Sequence, residues 1–163
     1  MSQEVFCKRA GLPLRRLIYL CEKGAIKPAE DTSGRGSPRR FGEENVTEYR
    51  VVELLLGFGF ELRRVAAIIG LIRGFFERIR AYSKVPSEFP HSFAEISADK
   101  PFWLVMYDHG IVTMQYRVGK KIQNSDYAKI LPNGKISGGL RWDENVAKGA
   151  ISKLEIELSK LAR

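Results

Sequence analysis

The sequence predicts an α+β protein in two parts, mainly helical first and then a small antiparallel sheet with one C-terminal helix. Three observations predict it. Through residue 82 the apolar residues recur at steps of three and four, the period of helices with one buried face. From residue 101 the period falls to two, that of strands whose side chains alternate between faces. Between them, SKVPSEFPHSFAEISADK (83–100) carries two prolines and scattered polar residues with neither period, and reads as a linker. The expected organisation is residues 1–82, a linker at 83–100, and a small α+β unit at 101–163.

The bulk composition narrows the class. At 163 residues the chain can bury one good core or two small ones. With 44% hydrophobic and 28% charged residues, disorder is excluded as the dominant state. Lys+Arg at 27 against Asp+Glu at 19 gives a net charge of +8, which favours a polyanionic partner such as nucleic acid or an anionic membrane surface. Residues 1–41 hold nine basic side chains against four acidic ones (Glu4, Glu22, Glu30 and Asp31), so a quarter of the chain carries five of the excess charges.

Residues 3–10 form the first expected helix, with Val5, Phe6 and Ala10 on its apolar side and Lys8 and Arg9 outward. Gly11 ends it and Pro13 opens the next, since glycine suits a helix end and proline a first turn. The second helix runs from about 14 to 23. Leu14, Leu17, Ile18 and Cys21 are expected inside, and Arg15, Arg16, Tyr19 and Lys23 outside. Two helices across a tight turn, the second rich in arginine, form the geometry in which a helix enters a DNA major groove. Ala25–Pro28 is then extended. The polar, basic loop EDTSGRGSPRR closed by Phe41 reads as a wing whose Arg35, Arg39 and Arg40 reach phosphates or a minor groove.

Glu43 and Glu44 suit the start of a third helix, reaching about Leu56, with Val46, Tyr49, Val52, Leu55 and Leu56 buried. After Gly57-Phe58-Gly59 a fourth helix of about 22 residues begins at Glu61. Its stripe is Leu62, Val65, Ala66, Ile69, Ile72, Phe76 and Ile79. Residues 101–121 read as a hairpin about Asp108-His109-Gly110, and 127–142 as a second hairpin about Pro132-Asn133-Gly134. The last segment, from Asp143, reads as an amphipathic helix with Val146, Ala150, Ile151, Leu154, Leu158 and Leu161 as its stripe.

On these residues the first 72 positions resemble the MerR family of bacterial transcription regulators. The family's recognition helix, V-R-T-L-R-Y-Y-E-x-x-G-L, is represented by Leu14-Arg15-Arg16-Leu17-Ile18-Tyr19-Leu20, with Gly24, Ala25, Ile26 and Pro28 in step. Ser37-Pro38-Arg39-Arg40-Phe41 stands for the wing motif G-Y-R-x-Y, Asn45-Val46 for D-V, and Phe58-Gly59-Phe60-Glu61-Leu62 for L-G-F-S-L. Ile18 replaces an arginine, Leu20 the second tyrosine and Pro38 the wing tyrosine, so one phosphate contact is expected to be absent. The resemblance implies binding of double-stranded DNA through Arg15, Arg16, Tyr19, Arg39 and Arg40; Lys23 and Arg35 join them as basic residues of the same helix and wing, and Lys8 and Arg9 are either helix-one phosphate contacts or plain surface charges. It also implies a homodimer on a near-palindromic site and an effect on transcription through DNA deformation. Residues 61–82 are short for the family's usual dimerisation helix.

Other chemistry finds little support. The family's metal sensors use cysteines near the end of the dimerisation helix; here Cys7 and Cys21 lie on apolar faces of the first two helices, and His91 and His109 lack cysteine neighbours, so no metal site is expected. No cofactor fingerprint appears, and Asp108-His109 is better explained by a turn than by catalysis, so no enzyme is expected. Trp103, Tyr107, Tyr116 and Trp142 are weak ligand-pocket candidates beside their simpler role as core. The N-terminal residues lack an apolar signal region, and the longest apolar run, VAAIIGLI at 65–72, is too short to span a bilayer. The expected location is the cytoplasm, at the nucleoid. The expected function is a sequence-specific DNA-binding transcription regulator. Its alternative is a DNA-bending excision or partition factor of a mobile element. RNA polymerase or another protein is a further possible partner of the C-terminal unit.

Overall fold

A computed structural model describes residues 1–30, 39–81, 90, 92–96, 100–108, 110–125, 127–133, 135–140, 145, 148 and 150–161. The chain divides into two compact units, Met1–Gly70 and Leu71–Arg163. The division falls within the fourth helix.

In the first unit, α1 (Gln3–Ala10) starts under Ser2, whose hydroxyl accepts from the Val5 N–H. It ends at Gly11, where φ of 70° turns the chain in a conformation that glycine adopts without a Cβ penalty. α2 (Leu14–Glu22) follows directly from Pro13, whose carbonyl accepts from the Arg16 and Leu17 N–H groups. The buried side of α2 is Leu17 and Leu20, not the expected Leu14 and Ile18, which are 43% and 36% exposed. On α1, Phe6 is buried while Val5 is exposed and Ala10 half-buried. The tight turn sets the rotation of α2 about its axis, and sequence periodicity alone leaves that rotation open by about one residue.

α3 (Glu43–Gly57) buries Val46, Tyr49, Val51, Val52 and Leu55, and with them the polar Asn45, Thr47 and Glu48. Phe6 stacks on Phe41 at 4.7 Å and meets Tyr49 edge-on at 6.4 Å, so α1, the end of the wing and α3 share one aromatic core. α4 (Leu62–Ala81) contributes buried Val65, Ile68 and Ile69 to this first unit.

In the second unit, six antiparallel strands form one sheet: β1 (Phe102–Tyr107), β2 (Ile111–Val118), β3 (Lys121–Asn124), β4 (Tyr127–Ile130), β5 (Ile136–Leu140) and β6 (Lys153–Glu157). The order is β5-β4-β2-β1-β6, and β3 pairs with the end of β2. Both expected hairpins are present. At the first, Gly110 has φ of 83° and a Cβ there would lie 2.8 Å from the Ile130 carbonyl, so the turn takes only glycine without strain. One sheet face, with Phe102, Leu104, Met106, Val112 and Met114, is buried, and Phe75 and Phe76 of α4 meet Phe102 at 5.4 and 5.6 Å. Phe93, in a short 3-10 turn (Phe93–Glu95), packs edge-on against Phe76 at 5.3 Å.

The expected C-terminal helix is a correction. Lys153–Glu157 is a strand on the outer side of β1, with Ile156 opposite Leu104 and Leu154 opposite Met106. Asp108 holds its entry, accepting from the Ile151 and Ser152 N–H groups at 2.9 and 3.0 Å. Leu154, Ile156 and Leu158 alternate with charged residues, so the segment also carries the period of a strand, and the free edge of β1 decides between the two. The strand β3 has exposed, largely polar residues and no apolar alternation to announce it. Among the described residues no helix is long and apolar enough to cross a membrane.

Candidate nucleic-acid interface

With Leu17 and Leu20 inward, α2 turns Arg15, Ile18, Tyr19 and Glu22 outward, spaced by three and four residues along one side. Arg15 is exposed, and Tyr19 is half exposed with its ring under the Lys23 ammonium, 5.7 Å from the ring centre. A solvated arginine and a phenol on one helix face provide donors for base edges and phosphate oxygens. A half-exposed ring beside a lysine is a surface group and not core packing.

Arg16 lies to the flank of this side and donates to Glu53 of α3 at 2.6 Å. Glu53 also bears on Tyr49: burial pushes the Tyr49 phenol up from its ordinary value, and the Glu53 carboxylate beside it pushes it further. Arg16 is thus held by a carboxylate of the helix behind it, with its side chain still about half exposed. Arg9 on α1 is likewise paired with Glu43 at the start of α3, while Lys8 is exposed.

At the wing, Glu30 and Arg40 form an antiparallel bridge, with N–H to carbonyl distances of 3.3 and 3.0 Å, and their side chains approach at 3.5 Å. Arg40 is exposed and Arg39 half-buried. Arg35 and the rest of 31–38 lie outside the described residues.

Four side chains that the sequence did not mark as site residues hold this arrangement, all on α3. Glu43 and Glu53 pair with Arg9 and Arg16. Asn45 and Glu48 bond the main chain at the wing's base. The signal was present: residues 42–70 carry five acidic residues against three basic ones, the reverse of the balance in 1–41. Asn45, three residues after Gly42, sits where a polar side chain returns to the N-cap N–H, half of a capping box.

Among the described residues the ligand candidates do not all share one face of the sheet. Trp103 and Tyr107 lie on one sheet face, with the Arg117 guanidinium over the Trp103 ring at 5.9 Å. Tyr116 pairs in register with Phe102 on the opposite face, next to Phe75. Trp142 lies outside the described residues. Among the described residues no three His, Cys, Asp or Glu side chains gather as a metal ion needs, and Cys7 is pushed up from its ordinary pKa by burial.

Comparison with known families places this geometry. Residues 1–70 match the model of the MerR HTH family regulatory proteins, a match that ends where the first compact unit ends. The resemblance read from the N-terminal sequence is borne out over that span. Set against curated proteins, the chain gives no significant match.

Proposed function

We propose that this chain, MerR-like over its first 70 residues, is a sequence-specific DNA-binding transcription regulator that acts as a dimer on a near-palindromic site. The observation that carries the reading is the outward side of α2, where Arg15 and Tyr19 stand opposite the buried Leu17 and Leu20. In a groove, Arg15 supplies a fork for guanine O6 and N7, and Tyr19 and Lys23 supply donors for phosphate. Ile18, exposed where the resemblance expects arginine, offers an alkyl group suited to a thymine methyl. Arg39 and Arg40 add backbone contacts from the wing. In a dimer the two copies of α2 would lie about one helical turn of DNA apart, on half-sites related by two-fold symmetry.

Substituting Arg15→Ala together with Arg39→Ala is expected to abolish specific binding in a gel-shift titration while the far-ultraviolet circular dichroism stays unchanged. Unaltered affinity would overturn this placement of the DNA face. The logarithm of wild-type affinity should fall by roughly 0.9 per phosphate contact for each unit of log salt. Selection of bound duplexes from genomic fragments supplies the site: promoter spacers support a regulator, whereas attachment or repeat sites would make it an architectural factor. A monomer in sedimentation, alone and on DNA, would remove the dimer and leave the DNA reading standing.

A further inference from the structure

Two buried polar side chains at the root of the wing have no part in the DNA contacts assigned above. The Asn45 amide accepts from the Gly42 N–H at 2.9 Å and donates to the Lys27 carbonyl at 2.8 Å. One side chain therefore joins the arm that enters the wing to the arm that leaves it. Its nitrogen also lies 3.0 Å from the Glu48 carboxylate, which in turn accepts from the Lys27 N–H at 3.4 Å. Asn45 is 6% exposed and Glu48 3%. Further out, the Glu30–Arg40 bridge pairs the same two arms.

We propose that Asn45 and Glu48 are positioning residues for the wing. By fixing Lys27 and Gly42 to α3, they set where Arg39 and Arg40 meet the DNA backbone. The inference rests on the DNA-binding reading.

The physical case has three parts. An amide and a carboxylate are costly to bury, and are tolerated when hydrogen-bonded as these are. Apolar packing already anchors this end of the wing, because Phe41 is buried and stacks on Phe6, and the hydrogen bonds between its main chain and Met1 do not involve Lys27 on the entering arm. Further cohesion there does not require polar groups; direction does, since a hydrogen bond fixes orientation and an apolar contact does not. Finally, Arg40 and Arg39 are only two and three residues before Gly42, so any freedom at the root passes to both guanidinium groups. A root already set lowers the ordering cost of binding.

The test uses the full chain and a fluorescent duplex taken from the selected pool, titrated over a range of salt concentrations at a temperature where every variant is folded. Arg39→Ala with Arg40→Ala should weaken binding and reduce the salt slope by about two units. Asn45→Ala should reduce the slope similarly. In its background the arginine substitutions should have little further effect, a coupling on the order of threefold to tenfold in affinity. Glu48→Gln keeps an oxygen for the Lys27 N–H and should bind like wild type, whereas Glu48→Ala should repeat Asn45→Ala. If Asn45→Ala does not fold, the Glu48 pair of variants carries the same comparison. Lower melting temperatures with unchanged affinity, unchanged slope and additive arginine effects would make both residues merely structural and overturn the assignment. A wild-type protein with no salt-dependent duplex binding would remove the DNA reading, and this inference with it.

Discussion

Helix α2 and the root of the wing are held in different ways. α2 rests on two leucines, Leu17 and Leu20, and its Arg16–Glu53 ion pair with α3 is partly exposed. The wing root adds to the apolar anchor of Phe41 a set of directional bonds from Asn45 and Glu48, both out of solvent. The contrast follows from the elements themselves. A helix is a rod, so burying one side of it orients every outward side chain at once. A pair of loop arms has no internal repeat, and each arm needs its own bond to be aimed.

That contrast can be broken by three substitutions of decreasing effect. Leu17→Ala removes a fully buried side chain and should cost about 2–5 kcal/mol in denaturant unfolding. A loss under about 1 kcal/mol would mean that α2 is anchored elsewhere. Asn45→Ala leaves the Lys27 carbonyl and the Gly42 N–H without that partner and should cost about 1–3 kcal/mol. A neutral result would erase the distinction between the two regions. Glu53→Gln should change stability by no more than about 1 kcal/mol, as expected of an exposed ion pair. A loss matching that of Leu17→Ala would make the surface tie, and not the leucines, the anchor of α2.

What the sequence disclosed follows the same division. The end of α1 and the starts of α2 and α3 were legible because turn residues and helix-end charges act locally: Gly11, Pro13 and the Glu43-Glu44 pair each do their work within a turn. The rotation of α2 was not, because Leu14, Leu17, Ile18 and Cys21 make as good a stripe as Leu17 and Leu20 until the turn and α3 are in place. Arg15, Tyr19 and Lys23 came out exposed as expected, since they face away under either rotation. Asn45 was legible only as a local partner of Gly42; its tie to the entering arm and that of Glu48 were not, because those bonds run 18 and 21 positions back to Lys27. At 153–161 the helical set Leu154, Leu158 and Leu161 and the strand set Leu154, Ile156 and Leu158 share two members, so periodicity could not decide. A hydrogen-bonding edge contributed by residues some fifty positions earlier did.

The last strand has a consequence for how the protein stays dispersed. β1 is FWLVMY, six residues without a charge, the kind of segment that stacks with copies of itself when its edge lies open. β6 occupies that edge and turns Lys153, Glu155 and Glu157 to the face of Trp103, Val105 and Tyr107, replacing an adhesive border with a charged one. Because β6 is made some fifty residues after β1, the nascent sheet has its stickiest strand uncovered until nearly the end of this sequence has been synthesised. Nonsense or frameshift products ending before Lys153 would keep it uncovered, and would be prone to fail by aggregation whatever the state of the N-terminal unit.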